Sequence, residues 1–456
     1  MPREDSDRVS LLPKVSDLLW LHEVNPRRYP HLLESVSSGM SGGAEWFDIL
    51  FAFPEELLEL AAPGILLKDG VRIDGNDFLG ALACATRSAA DDDSDSSGLP
   101  FHNGWFLYVS YDFASLIEPR LPLPHAVARP LAFAERFRSA IIRDRRSGET
   151  YFVSAGEVNR DRIEQVRADI RRARDTPLVT LSAKTLDEEP EERFLEGVRR
   201  IQEYIGAGDV FQVNLSRQWQ IDMSYPASAA QVYARLRASN PAPFAGLARL
   251  PHGGNIISSS PERLACVHGG TITTEPIAGT FARAALDADA ATVAALAAHP
   301  KERAEHVMLV DLARNDLGRV CRPGSVTVEQ LMQVRSYRYV HHLVSRVKGA
   351  LLPDTGPDAI LSAVFPGGTI TGCPKLRSME IIRELEQTGR GAYTGSIGYL
   401  RRDGNLDINI LIRTLVYDGR KITLRAGAGI VADSISAREL AETRAKARGL
   451  LAAIGI

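Results

Sequence analysis

Apolar and polar residues alternate along several short segments of the chain, and this period of two predicts β-strands. The pattern covers Phe47–Phe53 and Phe101–Phe113, and it begins again at Val210. A Gly269-Gly270 turn joins two further short strands into a predicted antiparallel hairpin. Helical spacing separates these strands over residues 161–174, 193–207, 300–320 and 376–387. Hairpins with helices between them predict an α+β fold with large antiparallel sheets.

Three less regular stretches divide the chain. Residues 87–99, RSAADDDSDSSGL, are acidic and rich in serine, which predicts a solvated, mobile acidic loop near residues 86–99. Residues 181–192, LSAKTLDEEPEE, predict a polar connector, so we expect a boundary there between an N-terminal region at 1–180 and a second domain at 193–456. We also expect a connecting helix that ends in YVHHLVSRVKG, residues 339–349, followed by three closely spaced strands.

The composition narrows the class of function. With 54 basic and 57 acidic side chains the net charge is −3, so no strong field favours nucleic acid or a membrane surface. No stretch of about 18 apolar residues occurs. The four cysteines lie far apart and form no CxxC pair. We therefore expect a soluble cytoplasmic protein that acts on a small molecule.

One predicted helix, PKERAEHVMLVDLARNDLGRV, begins at Pro300 and carries two carboxylates in its first turns. Glu302 and Glu305 are three residues apart, which places both side chains on one helix face. Taken alone, this arrangement is an acidic first turn of the kind that the helix dipole favours. The alternative is a ligand site for a cation.

A second predicted helix, in SISARELAETRAKARGLL, repeats the arrangement near the end of the chain. Glu439, Glu442 and Lys446 share one of its faces. Glu439 also suits a capping box with Ser436, which stands three residues before it. Two acidic helix faces and one lysine together predict a divalent metal site next to an anion site.

A series of motifs follows in order along the second part of the chain: SPERL, PIAGT, ERAEHVMLVDLARNDLGRV, YVHHLVS, FPGGTITGCPK, IRTL, GAGIVADS and ELAETRAKA. From about residue 193 to the end, the chain resembles the chorismate-utilising enzyme family. That family includes anthranilate synthase large subunits, aminodeoxychorismate synthase component I, isochorismate synthases and salicylate synthases. The resemblance implies two stacked antiparallel β-sheets flanked by helices, with the active site between them. Residues 1–180 resemble the extra N-terminal region of the amine-transferring members.

The resemblance also implies a magnesium site. Glu305 and Glu442 match direct ligands of Mg²⁺, and Glu302 and Glu439 match carboxylates that reach the metal through water. Hard oxygen ligands that retain water suit this ion. Bound Mg²⁺ would hold the ring carboxylate of chorismate and ease loss of its 4-hydroxyl.

Further positions match residues that bind or react with chorismate. The implied carboxylate-binding residues, including three backbone N–H groups, are Tyr393, Arg413, Lys446, Gly427, Ala428 and Gly429. Glu262 matches a general acid for the departing hydroxyl, His342 matches an active-site histidine, and Thr369 matches a threonine that faces the ring. Taken alone, an arginine in a strand is more often part of a structural ion pair, so the role of Arg413 depends on its motif.

Two positions bear on the nucleophile. At the position of Gln212, isochorismate and salicylate synthases carry a lysine that activates water. Because this chain lacks that lysine, the resemblance implies that ammonia is the nucleophile. Many aminodeoxychorismate synthases carry a lysine nucleophile, in PIKGT, where this chain has Ala278. PIAGT is the usual spelling of anthranilate synthases, so Ala278 favours anthranilate as the product.

Other stretches favour 4-amino-4-deoxychorismate. FPGGTITGCPK, AYTGSIGYL and WFDILFAFP resemble aminodeoxychorismate synthase component I, and NPAPFAGL lacks the NPSPY spelling of tryptophan-regulated enzymes. We therefore predict that activity, in para-aminobenzoate and folate biosynthesis, with anthranilate synthase component I as the alternative. Because no cysteine stands in a glutaminase-like turn, ammonia is expected from a partner glutaminase, component II.

Overall fold

The computed structural model describes residues 8–34, 46–75, 77–87, 98–125, 129–156, 159–173, 178–282, 289–336 and 340–456. Most of the predicted acidic loop near residues 86–99 lies outside these ranges, so that prediction stays open. Within the described part of the chain, no helix combines the length and the apolar character needed to cross a membrane.

Eleven α-helices are described, and most of them separate groups of strands. They are α1 (Leu19–Val24), α2 (Phe78–Arg87), α3 (Ala114–Ile117), α4 (Arg160–Arg172), α5 (Glu191–Gly206), α6 (Ala229–Ser239), α7 (Asp289–Ala298), α8 (Pro300–Gly318), α9 (Pro357–Val364), α10 (Lys375–Glu386) and α11 (Ser436–Ala453).

The described strands fall into an N-terminal and a C-terminal group. The N-terminal strands are β1 (Val9–Leu12), β2 (His31–Glu34), β3 (Phe47–Ala62), β4 (Ile65–Lys68), β5 (Val71–Arg72), β6 (Gly104–Val109), β7 (Ala132–Asp144) and β8 (Thr150–Ser154). The C-terminal strands are β9 (Ala183–Glu188), β10 (Gln212–Met223), β11 (Phe244–Arg249), β12 (Asn255–Ser260), β13 (Arg263–His268), β14 (Thr271–Thr274), β15 (Ile277–Ala282), β16 (Thr327–Ser336), β17 (Val340–Ala350), β18 (Gly372–Cys373), β19 (Ser396–Arg401), β20 (Leu406–Asn409), β21 (Thr414–Tyr417) and β22 (Lys421–Ile430).

All ladders between these described strands are antiparallel, and they connect the strands into one hydrogen-bonded network. The predicted α+β fold of antiparallel sheet flanked by helices is therefore confirmed. The network includes ladders between the two groups, since β2 pairs with β11 and β6 pairs with β19. The division into domains at 1–180 and 193–456 stays a prediction, and these two ladders cross it.

Local signals in the sequence placed several elements correctly. The strand predicted from Val210 is β10, and the predicted hairpin joins β13 to β14. Gly269 and Gly270 in its turn have φ values of 56° and 74°, which a two-residue turn of this type requires and glycine adopts freely. Helix α8 begins at Pro300, where the missing N–H breaks no helical hydrogen bond, and ends at Gly318.

Two local predictions are wrong. The connecting helix expected to end at residues 339–349 is instead β17, which pairs with β14, β15 and β16. Its valines Val344 and Val347 are buried and suit a strand, so pairing with three distant strands decides the structure. The polar connector at 181–192 contains β9, a strand that pairs with β10 and leaves most of its side chains exposed.

Candidate active site

Strands β10 and β22 have one apolar face and one polar face. Val213 and Leu215 pack in an apolar cluster with Ala428 and Ile430 of the neighbouring strand. Because successive side chains alternate across a strand, Gln212 faces the opposite side. Residues predicted from both strands for the substrate site therefore lie on this polar face.

Two glycines of β22 allow polar side chains to approach the backbone. A Cβ atom on Gly429 would lie 2.3 Å from Nε2 of Gln212. A Cβ atom on Gly427 would lie 2.6 Å from Oδ1 of Asn214 and 2.9 Å from the hydroxyl of Tyr393. Any larger residue at either position would displace these polar groups, so glycine is required for close approach.

Gln212 links β10 to helix α8. Its Nε2 donates a hydrogen bond of 2.8 Å to Oε1 of Glu305. Because an ionised carboxylate only accepts, this bond fixes which end of the amide points at the helix. Oε1 of Gln212 is buried and has no hydrogen-bond partner among the described residues, so it can accept from a ligand.

Lys446 lies between helix α11 and the glycine strand. Its Nζ donates a hydrogen bond of 2.9 Å to the carbonyl oxygen of Gly427 and lies 2.7 Å from Oε1 of Glu442. Lysine and glutamate are one helical turn apart, which is the usual spacing of a helix ion pair. The ammonium group therefore brings a positive charge to the polar face of β22.

Three predicted metal carboxylates lie close enough to affect one another. Burial raises the pKa of the Glu305 carboxyl, and the negative charges of Glu302 and Glu442 raise it further. The hydrogen bond from Gln212 and the charge of Lys446 act in the opposite direction. A cation near Glu305 would relieve the repulsion among the carboxylates.

The donor chemistry of this region suits Mg²⁺. If Gly279 carried a Cβ atom, that atom would lie 2.8 Å from Oε2 of Glu302. Glu439 is buried on α11. That helix is preceded by Ile435 as N-cap and shows no side-chain cap, so Ser436 does not form the capping box considered for Glu439. In the described ranges, no three His, Cys, Asp or Glu side chains converge on a point where they could hold a metal ion. Two direct carboxylate ligands would leave the other positions to water and substrate, as Mg²⁺ commonly allows.

The carboxyl of Glu262 is suited to proton donation. The side chain is buried, and the Thr369 hydroxyl donates a hydrogen bond of 2.8 Å to Oε1. Burial raises the pKa of Glu262 to about 7, although the Thr369 bond lowers it. A cavity of about 30 Å³ lined by both residues has room for a water-sized molecule. At neutral pH this carboxyl therefore retains its proton part of the time.

His342 is uncharged at neutral pH. It lies on β17 opposite Thr280, and its Nδ1 is 3.4 Å from the carbonyl oxygen of Gly279. Burial lowers the pKa of the imidazole to about 4, and the positive charges of Arg413 and Lys446 lower it further. The ring can therefore form hydrogen bonds without adding a positive charge to the site.

Tyr393 and Arg413 are the remaining predicted anion-binding side chains. Burial raises the pKa of Tyr393 to about 12, so its hydroxyl keeps the proton that it could donate. Arg413 is half-buried and has a φ of 53°, a left-handed conformation that non-glycine residues rarely adopt. Burial lowers the pKa of the Arg413 guanidinium, whereas the charges of Tyr393 and Glu442 act to raise it. A strained backbone of this kind is common at functional sites.

Ala278 lies close to the buried acid. It is buried on β15 opposite Leu343 of β17. The backbone of its neighbour Ile277 forms a hydrogen bond with Glu262. Ala278 therefore follows a residue that contacts Glu262 through its backbone, and its methyl group offers no nucleophile.

Several of the predicted residues thus lie near one another although they come from distant parts of the chain. The charge of Lys446 acts on Glu305 of α8, on His342 of β17 and on Glu262, which lies between β12 and β13. Asn214 was missed by the sequence reasoning, although its Oδ1 is buried without a partner in the described chain. The available signal was its spacing, because it stands two residues after Gln212 on the same face of β10.

A larger groove of about 680 Å³ lies elsewhere along α8 and α10 and contains none of the predicted site residues. Its lining includes Phe211, Leu312, Phe365 and Leu376. The groove is therefore lined by side chains other than those predicted for the substrate site.

The antiparallel α+β fold thus brings together a buried carboxyl that retains a proton, cationic side chains and neighbouring carboxylates. The sequence model of chorismate binding enzymes matches residues 67–452. The chain therefore belongs to the family of chorismate binding enzymes, and it is an enzyme that acts on chorismate.

Individual relatives agree with this family. The chain is 42% identical over 360 residues to an anthranilate synthase component I-like protein of Synechocystis sp., covering 78% of this chain and 73% of the relative. It is 48% identical over 259 residues to aminodeoxychorismate synthase component 1 of Bacillus subtilis, covering 56% and 54%. The structure of anthranilate synthase component I from Streptococcus pneumoniae is 32% identical and matches with a TM-score of 0.79, covering 91% of this chain and 93% of that one. These relatives carry the names of two different products.

Proposed function

We propose that this chain is component I of an aminodeoxychorismate synthase, which replaces the 4-hydroxyl of chorismate by an amino group. The product, 4-amino-4-deoxychorismate, serves para-aminobenzoate and folate biosynthesis. The observation that carries the loss of the 4-hydroxyl is the buried Glu262, which accepts a hydrogen bond from Thr369 and whose pKa of about 7 leaves it with a proton to donate at neutral pH. The preference for the 4-amino product over anthranilate is supported by the FPGGTITGCPK and AYTGSIGYL stretches. Hydroxide is a poor leaving group, so loss of the 4-hydroxyl needs such an acid.

In the proposed reaction, Glu262 donates its proton to the 4-oxygen while the bond between that oxygen and ring carbon 4 breaks. Water leaves, the nitrogen lone pair of ammonia forms the new bond to carbon 4, and the proton that the nitrogen loses returns to the Glu262 carboxylate. Chorismate and ammonia thus give the amino product and water. Thr369 orients the carboxyl through its hydrogen bond of 2.8 Å to Oε1.

The anion-binding groups hold the substrate in this mechanism. Tyr393, Arg413 and Lys446 bind the enolpyruvyl carboxylate together with backbone N–H groups between Gly427 and Gly429. The closeness of Gly427 to both Lys446 and the Tyr393 hydroxyl supports this assignment. Uncharged His342 contributes a hydrogen-bonding group near the ring without repelling these cations.

The carboxylates form the proposed magnesium site. Glu305 and Glu442 would bind Mg²⁺ directly, and Glu302 and Glu439 would bind it through water. When bound, the ion would supply Lewis-acid polarisation of the substrate's ring carboxylate. The mutual repulsion that raises the pKa of Glu305 supports a cation at this place.

The choice of ammonia as nucleophile is supported by Gln212. Its amide is hydrogen-bonded to Glu305 and has no basic nitrogen with which to activate water. Ammonia carries a reactive lone pair without such a base. A separate glutaminase, component II, would supply it, which agrees with the component names of the relatives.

Anthranilate synthase component I is the second candidate, and Ala278 favours it. An alanine cannot form the lysine adduct of many aminodeoxychorismate synthases, so our proposal requires that ammonia attacks carbon 4 directly or after another nucleophile adds at carbon 2. Relatives named anthranilate synthase also support this candidate. It would add the amino group at carbon 2 and release pyruvate.

Pyruvate release distinguishes the two candidates. Purified protein is incubated with chorismate, Mg²⁺ and an ammonium salt, and consumed chorismate is compared with pyruvate formed. We expect chorismate to disappear without pyruvate, and Glu262→Gln to remove this consumption. Equimolar pyruvate together with fluorescent anthranilate would overturn the proposal in favour of the second candidate.

A further inference from the structure

The loop that presents Tyr393 is held by the N-terminal region of the chain. Asp112 is 1% exposed and accepts two hydrogen bonds from this loop through its two carboxylate oxygens. Oδ1 accepts from the backbone N–H of Arg390 at 2.9 Å, and Oδ2 accepts from that of Gly391 at 3.2 Å. The backbone N–H of Tyr111 in turn donates to the carbonyl oxygen of Gly391 at 2.9 Å.

The same loop leaves no space against the N-terminal strand β6. A Cβ atom on Gly395 would lie 2.4 Å from the carbonyl oxygen of Val109 and 3.1 Å from Cα of Ser110. The next residue, Ser396, pairs with Val109 in the ladder between β6 and β19. Residues 109–112 therefore fix both ends of the loop 390–395, and we call this contact the N-terminal brace.

Arg390 extends the brace to other parts of the substrate site. Its Nη1 donates to the carbonyl oxygen of Ile370 at 3.0 Å, next to Thr369. Its Nη2 donates to the carbonyl oxygen of Asn214 at 2.7 Å. The guanidinium carbon lies 4.8 Å from the ring centre of Tyr111 and 5.6 Å from that of Tyr393. One buried cation thus connects three segments that carry proposed substrate residues.

The charge of Arg390 is balanced independently of Asp112. Glu386 accepts from Nε of Arg390 at 2.9 Å and from Nη2 at 2.6 Å. Glu386 also accepts from Arg425 at 2.9 Å. The two hydrogen bonds that Asp112 accepts from the loop come from backbone N–H groups, and the Arg390–Glu386 pair is formed by other atoms.

We propose that Asp112 is a positioning residue for chorismate binding: through the N-terminal brace it holds the loop 390–395 so that the Tyr393 hydroxyl faces Gly427. The inference rests on the proposed role of Tyr393, and it assigns to the N-terminal region a direct contribution to the substrate site. The brace acts on substrate binding more than on the chemical step, because the hydrogen bonds of Asp112 go to the loop that carries Tyr393 and not to Glu262 or Thr369.

Asp112→Asn tests the proposal with little change in shape. The amide keeps one acceptor for Arg390 but turns an N–H group toward the N–H of Gly391, so the loop loses one of its two side-chain bonds. We expect KM for chorismate to rise about tenfold, which corresponds to about 1.4 kcal/mol, while kcat changes less than about threefold. Asp169→Asn is the matched control, because Asp169 is also buried in the N-terminal region and accepts from the Tyr29 hydroxyl at 2.8 Å.

The control separates positioning from general stability. Both variants are expected to lower the melting temperature, but Asp169→Asn should leave KM within about twofold of wild type. An equal rise of KM in both variants, or an unchanged KM in Asp112→Asn, would contradict the proposal. If Asp112→Asn fails to fold, Tyr111→Leu removes the ring from Arg390 and must raise KM in the same way.

A double-mutant cycle identifies the group that the brace positions. Tyr393→Phe alone should raise KM, and adding Asp112→Asn to it should cause less than half of the rise seen in the wild-type background. Fully additive effects, or no effect of Tyr393→Phe, would refute the inference. Because KM for chorismate is defined whichever product forms, this outcome is separate from the product assay that tests the proposed function.

Discussion

Replacing Glu262 by glutamine is expected to change the pH dependence of stability as well as the activity. Burial raises the pKa of this carboxyl from 4.5 to about 7. Glutamine has a similar shape but no titrating proton, so Glu262→Gln removes this single equilibrium. The Thr369 hydroxyl can still donate to the amide oxygen of the variant, which limits other changes at the site.

The magnitude follows from the shift in pKa. A rise from 4.5 to about 7 corresponds to about 3 kcal/mol of differential stability between the protonated and ionised forms. Because the folded-state pKa is raised, the stabilising contribution is complete below pH 4.5 and is lost as the pH rises through 7. Relative to wild type, Glu262→Gln should therefore gain about 2.5 kcal/mol between pH 5 and pH 8.5, because the remainder of the change falls below pH 5.

Chemical denaturation of both proteins at several pH values measures this difference. All other titrating groups are shared, so they cancel when the two free energies of unfolding are subtracted. In the activity assay, wild-type kcat/KM should fall above pH 7, and Glu262→Gln should lose about 10² to 10⁴ in rate. Thr369→Val is the companion variant, since loss of its bond should raise the pKa of Glu262 and move that fall to higher pH. A stability difference that stays constant with pH would refute the idea that Glu262 is held protonated.

Three further predictions concern the metal, the nitrogen donor and Ala278. Turnover should require Mg²⁺, and Glu305→Gln or Glu442→Gln should abolish it in folded protein; near-normal rates of both variants in the presence of a chelator would contradict the metal assignment. Glutamine should not replace ammonium salts as the nitrogen donor of the isolated chain, and it should do so once a glutaminase subunit is added. Glutamine-dependent activity of the chain alone would be inconsistent with a separate partner. Intact-protein mass spectrometry should find no chorismate-derived adduct on the natural chain, and we expect one on Ala278→Lys incubated without ammonia. The larger lysine should lower the free energy of unfolding by about 1–3 kcal/mol through overpacking. An adduct on another lysine of the natural chain would exclude the adduct-free mechanism.

Prolines, glycines and the spacing of apolar residues in the sequence predicted those parts of the fold that depend on neighbouring residues. Pro300 marks the start of α8 because a proline in the first turn breaks no helical hydrogen bond. The Gly269-Gly270 hairpin was predicted because glycine readily adopts the positive φ angles of a two-residue turn. In contrast, residues 340–350 form β17 because three strands from other parts of the chain pair with them, which no local pattern reveals.

The candidate site, like the fold, was predictable from the sequence only in part. The motifs indicated which residues to examine, but the bond between Gln212 and Glu305 joins positions 93 residues apart and depends on the packing of α8 against the sheet. Likewise, the raised pKa of Glu262 arises from burial, which is a property of the folded chain. The brace from Asp112 was not predicted at all, because an aspartate in an apolar segment carries no mark of the distant loop that it holds.

The measurement that tests the central claim most directly is the position of the new carbon–nitrogen bond. The purified protein is supplied with chorismate, Mg²⁺ and ¹⁵N-labelled ammonium, and the product is examined by NMR for coupling between nitrogen and the ring carbons. Our account predicts ¹⁵N on ring carbon 4 in a molecule that still carries the enolpyruvyl group. Label on carbon 2 of an aromatic ring, with pyruvate set free, would contradict it.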